Sequence, residues 1–255
     1  MNSRNPILLD IFSYSCMNCL RSLGFIKKID LKYKKLGLDT ILIHTPEWEF
    51  EKNRKNILWA LKKYKINSPI IIDNDRKITK RLGIDFWPAQ ILMNGGKILC
   101  KHIGEGGYKK LEDIIIKFLK LRTKSIFSEE PKYSRFPSIY CGRGKNGKVS
   151  NLKNMLRFGA IYTEGNWVQE HEFIKSVGKL GSLTILTKGR AVNFVAKSTN
   201  KKTIKIGVML NDRFIKRITV NKPGLYNIIK LNNNKQNRLT IKTKSNLAVY
   251  SFSFQ

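Results

Sequence analysis

The hydrophobic period changes a little before the middle of the chain, and this change constrains the fold more than any other feature. Up to about residue 121, apolar runs of strand length alternate with stretches whose apolar residues recur every three or four positions. From Gly159 onward, short runs rich in β-branched residues follow one another with almost no helical spacing between them. Strands alternating with helices call for an α/β layer structure, whereas strands in succession, parted by Gly, Asn, Pro and Lys clusters, call for an antiparallel β-sandwich. One layer cannot satisfy both patterns. At 255 residues and 42% hydrophobic, the chain can build two cores. We therefore expect an α/β domain over 1–121, a linker over 122–136 without sustained periodicity, and an all-β, jelly-roll-like sandwich over 137–255.

Within the first part, "PILLDIFSY" reads as a buried strand, and Cys16 to Leu36 carries Leu20, Leu23, Ile26, Ile29 and Tyr33 at helical spacing. "GLDTILIHT" reads as a second strand, which completes a β-α-β unit. Glu49 to Lys65 is expected to be one helix with Ile57, Leu58, Leu61 and Tyr64 on one side. "SPIIID" is a further strand, Asp75 to Gly83 a short helix, "AQILMNGGKILCKHI" a hairpin turning at Asn94–Gly96, and Tyr108 to Leu121 a last amphipathic helix.

The formal net charge is +31, but the lysines are scattered along the whole chain and Lys, Asn and Ile are abundant throughout. A biased composition accounts for that pattern, and specific nucleic-acid binding is not expected, because recognition needs a dedicated surface. "MNSRNPILL" is too short and too soon interrupted by Asp10 for a signal peptide, and no apolar run approaches membrane-spanning length. The expected location is cytoplasmic.

Four cysteines do not make a disulfide scaffold. Two of them, in "DIFSYSCMNCLRS", are Cys16 and Cys19, set where a strand pattern gives way to a helix pattern. A cysteine at a helix N-terminus meets unpaired N–H groups and the positive end of the macrodipole, which favour thiolate over thiol. A second cysteine one turn on can displace a mixed disulfide and close an internal bond. Three other readings compete. Structural zinc needs four ligands, and Cys100 with His102, or Cys141, supply the remainder at poor spacing. Haem attachment needs a histidine where Leu20 stands. Two coincidentally buried cysteines are the third.

"LLDIFSYSCMNCLRSL", "IHTPEWEFEK", "SPIIIDND", "FWPAQILMNGGKI" and "GEGGYKKLEDII", in this order, resemble the thioredoxin-like domain of the DipZ family, itself similar to the TlpA group of thiol-disulfide oxidoreductases. The resemblance covers Pro6 to Leu121. It implies a thioredoxin-like fold, a mixed sheet flanked by helices, and a redox-active Cys16/Cys19 disulfide needing no cofactor and no metal. It further implies that Asp10 is the buried carboxylate beneath the resolving cysteine and relays a proton, a role for which desolvation suits it. It makes Pro88 the proline that is cis in thioredoxin folds and faces the cysteines, with Trp87 a wall of the groove that holds an extended substrate. His44, Glu47 and Phe50, and Glu105 with Tyr108, lie in matching segments. Of these, His44, Glu47 and Glu105 are secondary candidates, Glu47 or Glu105 tuning the thiolate, choosing substrates or capping a helix.

The chain departs from thioredoxin in having Ser15 before the pair, and Met17 and Asn18 inside it. The intervening dipeptide strongly influences redox potential, so reductant and oxidant are not separable by reading. Extracytoplasmic placement, as in some relatives, stays the alternative to cytoplasm. "FPSIYCGRGKNG", "GAIYTEGNWVQEHEF" and "LAVYSFSF" resemble the family's C-terminal β-sandwich, similar in shape to carbohydrate-binding domains, and Trp167 there is a sugar platform or a core residue. His171 reads as a surface residue, and Cys141 as a small buried hydrophobe.

The expected function is thiol-disulfide exchange with protein thiols or disulfides and an unidentified electron donor or acceptor. The alternative is an adaptor whose sandwich binds glycan, peptide or protein over an idle thioredoxin-like scaffold. A thiol peroxidase is disfavoured because Ser13 fits such a site but Leu9 stands where a proline is needed.

Overall fold

The apolar run after Pro6 becomes β1 (Ile7–Phe12), whose side chains from Leu8 to Phe12 are all buried, as a strand covered on both faces must be. The computed structural model describes residues 5–127, 136–151, 155–231, 235–244 and 246–255. Two compact units emerge, Met1–Lys132 and Tyr133–Gln255. Residues 128–135, most of the expected linker, lie outside the described residues. No helix among the described residues is long and apolar enough to cross a membrane.

In the first unit α1 (Met17–Tyr33), β2 (Asp39–His44), α2 (Arg54–Lys63), β3 (Ile70–Ile72), α3 (Lys77–Arg81), β4 (Ala89–Asn94), β5 (Lys97–Ile103) and α4 (Tyr108–Phe118) follow β1. The strand order is β3-β2-β1-β4-β5, with β1, β2 and β3 parallel and β4 and β5 antiparallel. This is the thioredoxin-like arrangement. It leaves β1 in the centre, so the loop after Phe12 opens at the C-terminal ends of the parallel strands, where α/β sites gather.

The expected helix over Glu49–Lys65 is two pieces, a 3₁₀ turn at Glu49–Lys52 and α2. Asn53 divides them in an extended conformation, with its side chain accepting from Lys55 N–H at 2.9 Å as the N-cap of α2. The break rotates the helix face, so Ile57 and Ala60 are buried while Leu58, expected inside, is exposed.

The chain after α4 folds back onto this unit. Glu112 accepts hydrogen bonds from Tyr33 Oη (2.5 Å), Lys32 Nζ (3.1 Å), the Ile126 N–H (2.8 Å) and the Ser125 hydroxyl. Burial pushes its carboxyl up, but these donors outweigh burial and hold it below the usual range. Phe127 is buried beside Phe25, which stacks on Tyr108 at 4.2 Å.

The described residues of the second unit form ten strands in one hydrogen-bonded network: β6 (Ile139–Tyr140), β7 (Lys148–Asn151), β8 (Ala160–Gln169), β9 (Ile174–Thr187), β10 (Ala191–Ser198), β11 (Ile204–Leu210), β12 (Arg213–Val220), β13 (Gly224–Lys230), β14 (Asn237–Thr243) and β15 (Leu247–Phe254). Their main path is β12-β11-β14-β9-β15-β10-β13, all antiparallel; among the described pairings β7 with β8 (Ala160–Gln169) is parallel. The long β9 (Ile174–Thr187) pairs with β8 and β14 along one stretch and with β15 at its start, so the sheet wraps round its own core. Ile206, Phe194, Ile228, Leu239, Val249 and Phe252 fill that core.

Candidate functional site

Cys16 is the N-cap of α1, in extended conformation, and its Sγ accepts the Cys19 N–H at 3.4 Å. A thiol sulfur therefore does what a serine or aspartate oxygen does at other caps. Cys16 is partly exposed and Cys19 is fully buried. Burial pushes the Cys19 thiol well above its ordinary pKa, and the hydrogen bond and charge of Cys16 push it the same way. One sulfur is accessible for attack while its neighbour needs help to lose its proton.

Asp10 could give that help. It lies at the middle of β1, fully buried, and burial raises its pKa from 3.8 to about 7, against the pull of a hydrogen bond from Gln90 Nε2 at 2.8 Å. As an anion it adds to the upward push on the Cys19 thiol, so the help it can give is to take the proton, not to draw it off by charge. Gln90 faces Asp10 across the antiparallel β1–β4 pair and also donates to Ser22 Oγ at 3.0 Å.

The Trp87–Pro88 peptide bond is cis and leads directly into β4. Pro88 is buried and Trp87 half-buried, with the Arg76 guanidinium 5.3 Å from its ring centroid. Phe86, beside them, is 74% exposed.

The secondary candidates part company. His44 ends β2 with its ring stacked on Tyr14 (5.4 Å) and edge-on to Phe12 (5.6 Å). Neither ring nitrogen has a partner, and burial lowers its pKa to about 4, so it is a neutral ring packed among aromatics. Glu105 is held by Arg21, Nε to Oε1 at 2.5 Å and Nη2 to Oε2 at 2.8 Å, while Arg21 also reaches Asn18 inside the cysteine pair. Glu47 contributes its backbone N–H to a carboxylate that sequence reasoning missed, that of Glu51.

Glu51 is fully buried. It accepts from the Ser13 hydroxyl (2.7 Å), the Ser15 N–H (3.0 Å) and hydroxyl (2.7 Å), and the N–H groups of Glu47 (2.6 Å) and Trp48 (3.2 Å). Burial, then the charge of Glu47, lift its pKa to about 7 against the Ser13, Ser15 and Glu47 N–H hydrogen bonds. Since Ser13 O accepts the Cys16 N–H at 3.2 Å, Glu51 anchors the segment from which Cys16 springs. The signal is present in "PEWEFEK": a carboxylate three residues after Trp48 reaches back to that residue's N–H.

Among the described residues no group of three or more His, Cys, Asp or Glu side chains is placed to hold a metal ion. Cys100 sits on β5, the His102 ring lies against Gly107, and Cys141 is buried in the second unit, its thiol pushed up by burial. Trp167 is half-buried against the sandwich core, and its indole N–H donates to Glu164 O at 3.0 Å. His171 is exposed.

The family described as "Thioredoxin like C-terminal domain" matches residues 144–254, which lie within the β unit. The chain is similar to Protein SUPPRESSOR OF QUENCHING 1 of Arabidopsis thaliana, 30% identical over 110 residues, covering 43% of this chain and 10% of that protein. It is similar to Protein DipZ of Mycobacterium bovis, 24% identical over 221 residues, covering 78% of this chain and 32% of that protein. It is also similar to the Thiol-disulfide oxidoreductase ResA of Bacillus cereus, 27% identical over 112 residues, covering 44% of this chain and 62% of that protein. The chain thus spans about a tenth and about a third of the first two relatives.

Proposed function

We propose that this chain is a thiol-disulfide oxidoreductase acting on protein substrates through the Cys16/Cys19 pair. The observation that carries the reading is the geometry of the pair: a partly exposed Cys16 at a helix N-terminus and a buried Cys19 whose N–H donates to Cys16 Sγ, with Asp10 buried in the adjoining strand β1. Similarity to a relative named as a thiol-disulfide oxidoreductase supports it, as does similarity to DipZ across both units.

In the reducing direction the Cys16 thiolate attacks a substrate disulfide, releasing one substrate thiolate and leaving Cys16 in a mixed disulfide. Cys19 passes its proton to the Asp10 carboxylate and attacks Cys16 Sγ, which releases the second substrate thiolate and leaves the Cys16–Cys19 disulfide. An outside dithiol restores the pair, and no bound cofactor takes part. In this reading Trp87 and the cis Pro88 offer the surface for an extended substrate segment.

Reduction of insulin disulfides with dithiothreitol tests the proposal. Turnover above the reagent alone, abolished in a folded Cys16→Ser variant, is expected; turnover unchanged in that variant would reject it.

A further inference from the structure

We propose that Gln90 is a positioning residue for the proton relay, its amide serving Asp10 both as carboxylate and as carboxylic acid so that the Asp10 proton stays exchangeable with Cys19. This rests on the oxidoreductase reading above and adds a residue to it.

Two fully buried carboxyl groups, Glu51 and Asp10, are held in opposite ways. Glu51 is surrounded by donors from three backbone N–H groups and two hydroxyls. Asp10 has one donor, Gln90 Nε2, and its Oδ2 has no partner. A buried carboxylate with a single hydrogen bond depends on that bond for its charge. Gln90 is also fully buried, and its own Oε1 is without a partner.

What distinguishes an amide from other partners is that it carries a donor and an acceptor on one terminal rotor. Facing the anion, Gln90 offers N–H, as seen. Turned about its last torsion, it offers Oε1 to the O–H of a protonated Asp10. The Ser22 hydroxyl, now accepting the second Gln90 N–H, both donates and accepts, so it can follow that rotation. A lysine at position 90 would hold Asp10 as the anion, and a leucine would leave it held as the acid.

Asp10, Gln90 and Cys19 are all buried. Asp10 meets Gln90 from β4 and its strand partner Leu42 from β2, Ser22 of α1 joins it through Gln90, and the buried Cys19 of α1 lies within range of its charge. Among these Cys19 is the titratable group, with Cys16 beyond it. As Cys19 loses its proton to attack Cys16, the Asp10 carboxylate gains it, and the amide turns from donor to acceptor; regeneration reverses both.

The test uses the full chain and four proteins: wild type, Gln90→Leu, Asp10→Asn and the double variant, with Gln90→Met as a second replacement of similar length should leucine impair folding. The resolving step is followed by stopped flow from pH 5 to 9 with a peptide disulfide, and the Asp10 carboxyl carbon is titrated by NMR. Loss of the amide should move the Asp10 titration, and the midpoint of the resolving step, up by about one pH unit. The resolving rate at pH 6 should fall about tenfold, while Cys16 alkylation is unchanged. In the Asp10→Asn background, Gln90→Leu should add nothing. An unmoved Asp10 titration, or equal effects of Gln90→Leu with and without Asp10, would overturn the proposal. If wild type fails to reduce disulfides at all, the oxidoreductase reading falls first; the NMR titration still reports on Gln90.

Discussion

The N–H and the hydroxyl of Ser15 converge on the same oxygen of Glu51, at 3.0 and 2.7 Å, one residue before Cys16. A neutral amide at position 51 would put an N–H₂ against donors of the same kind. Glu51→Gln should therefore destabilise the chain by about 1–3 kcal/mol, the cost of a buried donor left unpaired. Urea denaturation reads the loss, and hydrogen exchange should show the Ser15 amide losing protection while the amides of β1 keep theirs.

Asp10 and His44 contribute to the pH dependence of stability in opposite senses, with Glu51 adding to the Asp10 side. Burial raises Asp10 from 3.8 to about 7, so the folded state holds a proton that the unfolded state has lost. Its contribution is fully present below about pH 4 and disappears as pH rises through about 7. His44 falls from 6.5 to about 4, so its contribution is present above about pH 6.5 and disappears as pH falls through about 4. Urea midpoints measured from pH 4.5 to 7.5 separate them. Relative to wild type, Asp10→Asn should gain stability as pH rises, and His44→Phe should gain as pH falls.

Glu112 joins α1, α4 and the segment after α4 through Tyr33, Lys32, Ser125 and Ile126. Glu112→Ala should cost about 3 kcal/mol, because a buried network loses its shared acceptor. Trypsin should then cut after Arg122 or Lys124 much faster than in wild type, with the Cys16 alkylation rate unchanged.

In the second unit, a methyl group at Gly142 would lie 2.2 Å from the carbonyl oxygen of His171 and 2.3 Å from the carbonyl carbon of Glu172. Those are backbone atoms, which cannot swing aside. Gly142→Ala should lower stability by about 2 kcal/mol or more. It should also remove exchange protection from the amides of Cys141 and Gly144, which bond to Tyr250 O and His171 O.

Much of the architecture was legible because the relevant signals are local. The apolar run at Ile7–Phe12, the helix spacing after Cys16 and the Gly95–Gly96 turn each declare themselves within a few residues. The two-piece form of Glu49–Lys63 was missed because Asn53 looks polar and unremarkable within a helical run, and only its capping of Lys55 makes it a boundary. Gln90 was invisible for another reason. Its importance comes from standing opposite Asp10, 80 residues away, and a strand register is a property of the folded pair. Glu51 falls between these cases, its spacing from Trp48 readable but its grip on Ser13 and Ser15 long-range.

The reach of Ser125, Ile126 and Phe127 back to Glu112 and Phe25 decides where an autonomous thioredoxin-like fragment must stop. A fragment ending where helical periodicity ends, at Leu121, would leave an interior anion with Tyr33 and Lys32 alone as donors and bare the ring of Phe25. Carried six residues further, through Phe127, the same fragment would take its own lid with it.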